Sequence, residues 1–131
     1  MTRGESDVDA AWAAGFFDGE GSVGCYQCGK YWRLSVSISQ AHPYVLERFR
    51  KIALDGEISG PYNNGEGKSQ VYHYKINIGV GVIELFKFLE PFLSPVKKKQ
   101  FKQAISTYEQ HYVIACVGRA GRTQAKPKEM V

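Results

Sequence analysis

The 131-residue chain is long enough for one compact domain and short for two of ordinary size. Its composition, 44% hydrophobic and 23% charged, excludes a generally disordered chain, and no apolar run approaches the roughly 20 residues that span a bilayer. Seventeen Lys and Arg against thirteen Asp and Glu leave a net charge of +4, a modest bias toward anionic partners such as nucleic acid.

The first predicted element is a helix from Asp7 to about Asp18. Ser6, with Asp9 three residues on, is a variant of the capping box that opens such a helix, and Gly19 and Gly21 stop it. Two strands follow, Ser22 to Gln27 and Tyr31 to Gln40, joined around Cys28-Gly29-Lys30. The second alternates strictly, with Leu34, Val36 and Ile38 on one face and Arg33, Ser35, Ser37 and Ser39 on the other. Pro43 suits the first turn of a second helix whose apolar stripe is Val45, Leu46, Phe49, Ile52 and Ala53; Asp55-Gly56 ends it. A second hairpin runs from Glu57 to about Tyr62 and from Gln70 to Ile78, around the loose turn Asn63 to Lys68. Its return strand sets Tyr72, Tyr74, Ile76 and Ile78 against Val71, His73, Lys75 and Asn77. A strongly apolar helical stretch covers Val82 to Leu93, and Ser94-Pro95 caps and starts a last helix carrying Phe101, Ala104, Ile105 and Tyr108.

The order is α-β-β-α-β-β-α-α, an α+β domain with one four-stranded antiparallel sheet. The expected domain is 1–116, and the Gly-, Arg- and Lys-rich stretch 117–131 reads as a basic, flexible tail. One sheet face is aliphatic and must lie on the helices. The other carries Ser, Arg, Lys, Asn and His, an unusual face to leave merely wet.

The chemistry concentrates in Trp12 to Ser22. Asp18 and Glu20 fall at a helix C-terminus, where the macrodipole already gathers negative charge, and each exposed acid there costs about 0.3–1 kcal/mol. A bound divalent cation reverses that sign, and carboxylate and carbonyl oxygens are the ligands Mg²⁺ prefers. The same helix spaces small residues in pairs, Ala10 with Ala14 and Ala11 with Gly15, which lets a second helix approach closely. Two copies paired there about a two-fold axis would bring both Glu20 side chains together.

Ala13-Ala14-Gly15-Phe16-Phe17-Asp18-Gly19-Glu20-Gly21 resembles the LAGLIDADG motif of homing endonucleases in its G-F-x-D-G-[DE]-G form, and the element order from about Trp12 to Tyr112 matches that family. Ala13 stands where the motif opens on Leu, and Glu20 stands at the acidic metal position. The resemblance implies a saddle-shaped sheet backed by helices, and a dimer interface on the motif helix through Ala11, Ala14, Gly15 and Asp18. It implies catalytic metal, Mg²⁺ or another divalent cation such as Mn²⁺, held by Glu20 and the Gly19 carbonyl. One motif in a short chain is similar to the homodimeric branch. That branch cuts long, partly palindromic double-stranded DNA and is encoded within introns or similar mobile elements.

Two further catalytic positions follow from the resemblance. Gln40, at the end of the second strand, corresponds to a polar residue that positions water or metal. Relatives place a Lys soon after a P-F-L segment; Pro91-Phe92-Leu93 precedes Lys97-Lys98-Lys99 here, which makes Lys97 the first candidate with Lys98 close behind. For reading DNA, a two-stranded β-ribbon fits the major groove. The first hairpin offers Ser22, Tyr26, Lys30, Arg33, Ser35 and Ser37, and the second offers His73, Lys75 and Asn77.

The expected function is a site-specific double-stranded DNA endonuclease working as a metal-dependent homodimer. The alternatives are an RNA maturase or DNA-binding regulator on the same fold without nuclease activity, or an unrelated basic interaction domain. The last leaves the helix-end acids unexplained. Cys25 and Cys28 resemble half a zinc knuckle, but structural zinc needs four ligands and no second cysteine pair exists. Three cysteines and an acidic N-terminus without leader character point to a soluble protein in a reducing compartment, a bacterial cytoplasm or an organelle.

Overall fold

The computed structural model describes residues 7–63, 65 and 70–118, with backbone only for 113–118. The Ser6 cap, most of the second hairpin's turn and the tail from Arg119 onward lie outside the described residues. The chain folds as α1 (Asp7–Glu20), β1 (Gly21–Cys28), β2 (Tyr31–Gln40), α2 (Pro43–Ala53), β3 (Glu57–Asn63), β4 (Gln70–Ile76), α3 (Gly79–Leu89) and α4 (Pro95–Gly118), with a 3-10 turn at Glu90–Phe92. No helix among the described residues is long and apolar enough to cross a membrane.

The four strands form one antiparallel sheet in the order β1-β2-β4-β3. The alternation in β2 is realised as expected: Leu34, Val36 and Ile38 are fully buried against the helices, joined by Tyr74 and Ile76 from β4. These residues, with Phe17, Leu46, Phe49, Val82, Leu85, Leu89 and Phe101 from the helices, make one continuous core. Phe17 sits at its centre, ring centroids 5.2 Å from Phe101 and 6.1 Å from Phe49. Burying such a side chain contributes about 1.5–3 kcal/mol, so the motif helix is anchored by its inner face.

Pro43 opens α2, as the sequence indicates, from an extended His42. Its close differs in detail. Leu54, at φ 58°, takes the left-handed cap position and donates its N–H to the Arg50 carbonyl at 2.8 Å, before Gly56 at φ 100° completes the reversal. Tyr74 fills the space beside Gly56 and donates its hydroxyl to the Asp55 carbonyl at 2.7 Å.

The third helix is displaced from its expected span of Val82 to Leu93. It begins at Gly79 and ends at Leu89, because Pro91 has no N–H to donate to the carbonyl four residues back, and the chain tightens into the 3-10 turn. At the other end, Gly79 and Gly81 are poor helix formers that packing recruits: side chains at these positions would collide with Tyr108 and with Asp55 and Ile76. β4 likewise stops at Ile76, leaving Asn77 and an exposed Ile78 as the entry to α3.

Candidate active site and nucleic-acid face

The motif helix runs two residues further than Gly19 suggests, so Glu20 is its last residue and Gly21 the first of β1. Gly21 is buried directly on the Phe17 ring, and any Cβ there would strike that ring. This close approach turns the chain from helix to strand within one residue. Glu20 is thereby left exposed at the C-terminus of α1, whose last turn carries no basic residue.

Asp18 turns away from solvent. Its carboxylate accepts hydrogen bonds from the Ser94 backbone N–H, 3.1 Å to each oxygen, and from the Ser94 hydroxyl at 2.9 Å. Ser94 Oγ in turn accepts from the Lys97 N–H at 3.3 Å, which caps the start of α4. Lys97 then reaches back across the junction and donates its ammonium to the Gly21 carbonyl at 2.9 Å, with the Phe17 ring 5.8 Å below. A latch of Asp18, Ser94 and Lys97 therefore fixes a cation one residue from Glu20. Of the two lysines left open by the sequence, Lys97 is the one at the junction; Lys98 faces an open groove of about 860 Å³ between β1 and α4, with Lys99 and Lys102. Removing three bonds to a half-buried carboxylate costs about 2 kcal/mol. Asp18→Ala is accordingly expected to lower stability by about that amount in urea melts, and Ser94→Ala by less.

Gln40 lies at the same end of the sheet. Gly21 pairs with Ile38, and Gln40 is two residues beyond that pair, half-buried where α1 arrives. The structure thus brings Gly19, Glu20 and Lys97 together at one corner, with Gln40 at the same end of the sheet. Among the described residues, no three His, Cys, Asp or Glu side chains are grouped to hold a metal ion. A single exposed carboxylate beside helix-end carbonyls nevertheless suits Mg²⁺, which binds through one or two carboxylates plus substrate phosphates and keeps several waters.

The small-residue surface of α1 needs correction. Ala14 is fully buried in the protomer's own core and Ala10 is 4% exposed, so neither offers a surface to a partner. Asp18 is committed to Ser94 of its own chain. Ala11 and Gly15 remain exposed, and a Cβ at Gly15 or Gly19 would meet nothing within 4 Å. Trp12 stacks on Phe16 and carries the Arg48 guanidinium 4.0 Å over its ring, which places Arg48 away from the Glu20 corner.

The open face of the sheet holds Ser22, Tyr26, Arg33, Ser35, Ser37, His73 and Lys75 of the expected DNA-facing set. Across β1 and β2 the same-face pairs are Ser22 with Ser37, Gly24 with Ser35 and Tyr26 with Arg33; Ser37 also pairs with Lys75 of β4. Ser22 and Ser37 bond each other through their hydroxyls at 2.9 Å. Tyr26 lies back along the face over Gly24, where any side chain would strike its ring. Lys30 sits in the hairpin turn, and Asn77 just past β4. Ser39 and Tyr62, absent from the expected set, also belong to this face. Ser39 is visible in the alternation of β2, whereas Tyr62 reaches the face only through an irregularity in β3.

Cys25 and Cys28, three apart on one strand, project to opposite faces, which separates them as a ligand pair. Cys25 points toward the helices, and burial pushes its thiol above the usual range. His111 stacks flat on Trp32, ring centroids 3.7 Å apart.

No protein-family model matches the chain, and no curated protein sequence matches it. Solved structures do. The archaeal intron-encoded homing endonuclease I-Vdi141I, complexed with DNA, superposes with a TM-score of 0.65 at 20% identity, covering 95% of this chain and 90% of that one. The homing endonuclease I-CvuI, in complex with the I-CreI target in 2 mM Mg with the DNA not cleaved, gives a TM-score of 0.64 at 18% identity, covering 92% of this chain and 86% of that one. The LAGLIDADG meganuclease I-AabMI, bound to uncleaved DNA, gives 0.64 at 20% identity; 85% of this chain matches only 40% of that one. With its four helices packed on one face of a four-stranded antiparallel sheet, and the motif helix feeding the first strand, the chain has the fold of the LAGLIDADG homing endonucleases.

Proposed function

We propose that this protein is a site-specific double-stranded DNA endonuclease that works as a homodimer with a divalent metal ion. The observation that carries the reading is the corner at Gly21. An exposed acid at the end of the motif helix and a cation latched to the next carbonyl stand together at one end of a polar, basic sheet face. An acid placed against its own helix dipole has little structural reason to be there. The DNA bound to I-Vdi141I and I-CvuI supports the same reading.

In this reading the open sheet face enters the major groove, Arg33 and His73 address base edges, and Lys75 and Lys30 hold phosphates. Glu20 and the Gly19 carbonyl hold the metal, for which their hard oxygens are suited. The metal, when bound, polarises the scissile phosphate and neutralises its charge. Gln40 orders the water that attacks in line, and Lys97, fixed by the Asp18–Ser94 latch, offsets negative charge as it develops on the phosphate. A second copy, docked on the exposed Ala11–Gly15 surface, supplies the other half of the site and reads the other half of a partly palindromic target.

The test is selection of cleaved molecules from a large randomised duplex library, with Mg²⁺, with Mn²⁺ and with EDTA. One enriched, near-palindromic site cut only with metal is the expected result. Tight duplex binding with no cleavage under any metal condition would overturn the nuclease and leave a DNA-binding regulator.

A further inference from the structure

One cluster on the open sheet face is locked together before any partner arrives. Ser39 of β2 and His73 of β4 are direct register partners, and Ser39 Oγ lies 2.7 Å from His73 Nδ1. The Tyr62 ring packs on the imidazole at 5.4 Å between centroids, tilted by 33°. Tyr62 gets there through a shift of register between Ser59 and Tyr62, which leaves Gly60 and Pro61 out of the ladder. Strict alternation from Glu57 and Ser59 would turn Tyr62 toward the helices. The shift sets it opposite Val71, on the face of His73 and Lys75. Gly60 is required at the shift: its φ is +118°, and a Cβ would press on the Val71 carbonyl at 2.9 Å.

With Nδ1 engaged by Ser39 and one ring face covered by Tyr62, the imidazole has a fixed orientation. Among the described residues, no hydrogen bond occupies its Nε2. When the Ser39 hydroxyl donates to Nδ1, the neutral ring carries its proton on Nε2, and the imidazolium carries one there as well. In the major groove a single donor matches purine N7, an acceptor no pyrimidine offers at that place. Ser39 immediately precedes Gln40, so the cluster is at the end of the sheet nearest Glu20. A side chain held beforehand in its binding rotamer loses little entropy on contact.

We infer that Ser39, His73 and Tyr62 form a preorganised purine reader, in which His73 Nε2–H donates to a purine N7 at the base pair closest to the cut that the sheet contacts. His73 makes the contact; Ser39 and Tyr62 position it. The inference rests on the endonuclease reading, and its test separates the two.

The randomised-duplex selection is repeated with His73→Ala, Ser39→Ala, Tyr62→Leu and the Ser39→Ala/His73→Ala pair, each checked for a thermal melt like the parent. The parent protein is expected to prefer a purine at one pair in each half-site, on the order of tenfold. His73→Ala erases that preference and retains those at the other pairs, Ser39→Ala and Tyr62→Leu weaken it at the same pair, and the double variant goes no further than His73→Ala. Replacing the purine at that pair by its 7-deaza form lowers binding of the parent and leaves His73→Ala indifferent. A His73→Ala profile unchanged at every pair overturns the inference. So does a uniform loss with a shallower salt dependence, which marks a phosphate contact. A parent protein that binds no duplex sinks the endonuclease reading together with this one.

Discussion

Glu20→Gln is expected to abolish cleavage, by more than about a hundredfold, while the protein still binds its target and becomes slightly more stable. The loss of activity follows from the donor chemistry. Disturbing only the outer hydrogen bonds of a metal site costs about 10–100-fold, and among the described residues Glu20 is the acid at the corner that no other group engages, Asp18 being held by Ser94. The gain in stability follows from position. Glu20 is exposed at the end of α1, with no basic residue in that turn, so its charge opposes the helix dipole. Neutralising it relieves about 0.5 kcal/mol. The combination is diagnostic, because a residue kept for folding loses stability and activity together. Cleavage of the selected duplex, gel-shift affinity and a urea melt check the three parts. Cleavage that survives Glu20→Gln removes Glu20 from the metal site.

How much of this was visible in the sequence depended on how local the cause was. The strict alternation of Tyr31 to Gln40 is enough to read which side chains of β2 face the helices and which face away, since a period of two is unambiguous where one side is buried so completely. The acid at the helix end was conspicuous because it violates a local electrostatic rule. Features that depend on residues distant in the chain were not legible. Nothing near Asp18 reveals Ser94, 76 residues on, so its place in the latch is invisible in the local sequence. The same latch brings Lys97 rather than Lys98 to the Gly21 carbonyl, a difference that local sequence does not carry. The burial of Ala14 is not legible either, because spacing alone cannot say which side of a helix rich in alanine faces its own core. Tyr62 is illegible for a different reason: a single register shift inverts the phase of everything after it, and the sequence carries only Gly60-Pro61 as its trace.

Gly15→Arg is expected to leave the fold intact, convert the protein to a monomer and reduce site-specific cleavage by at least about a hundredfold. Glycine in the middle of a helix costs about 0.5–1 kcal/mol relative to alanine and is kept where something needs the space. Among the described residues nothing does: a Cβ at Gly15 meets no atom within 4 Å, and the position is exposed beside Ala11. The space therefore suits a close approach from outside, and two motif helices crossing at Gly15 would carry both Glu20 corners toward a shared two-fold axis. Arginine is a good helix former, so the substitution favours the isolated helix while blocking that approach. In the proposed dimer, losing the partner would remove half of the DNA contact, a linkage worth about 10²–10⁴ in apparent affinity. Light scattering reports the mass, circular dichroism the fold, and cleavage the function. A Gly15→Arg protein that stays dimeric and active would place the interface elsewhere. Gly15→Ala separates the two effects on one position, because alanine stabilises the helix yet adds only a methyl group to the contact. Its melt is expected to rise with protein concentration less steeply than the parent's, the mark of a helix improved and a dimer weakened.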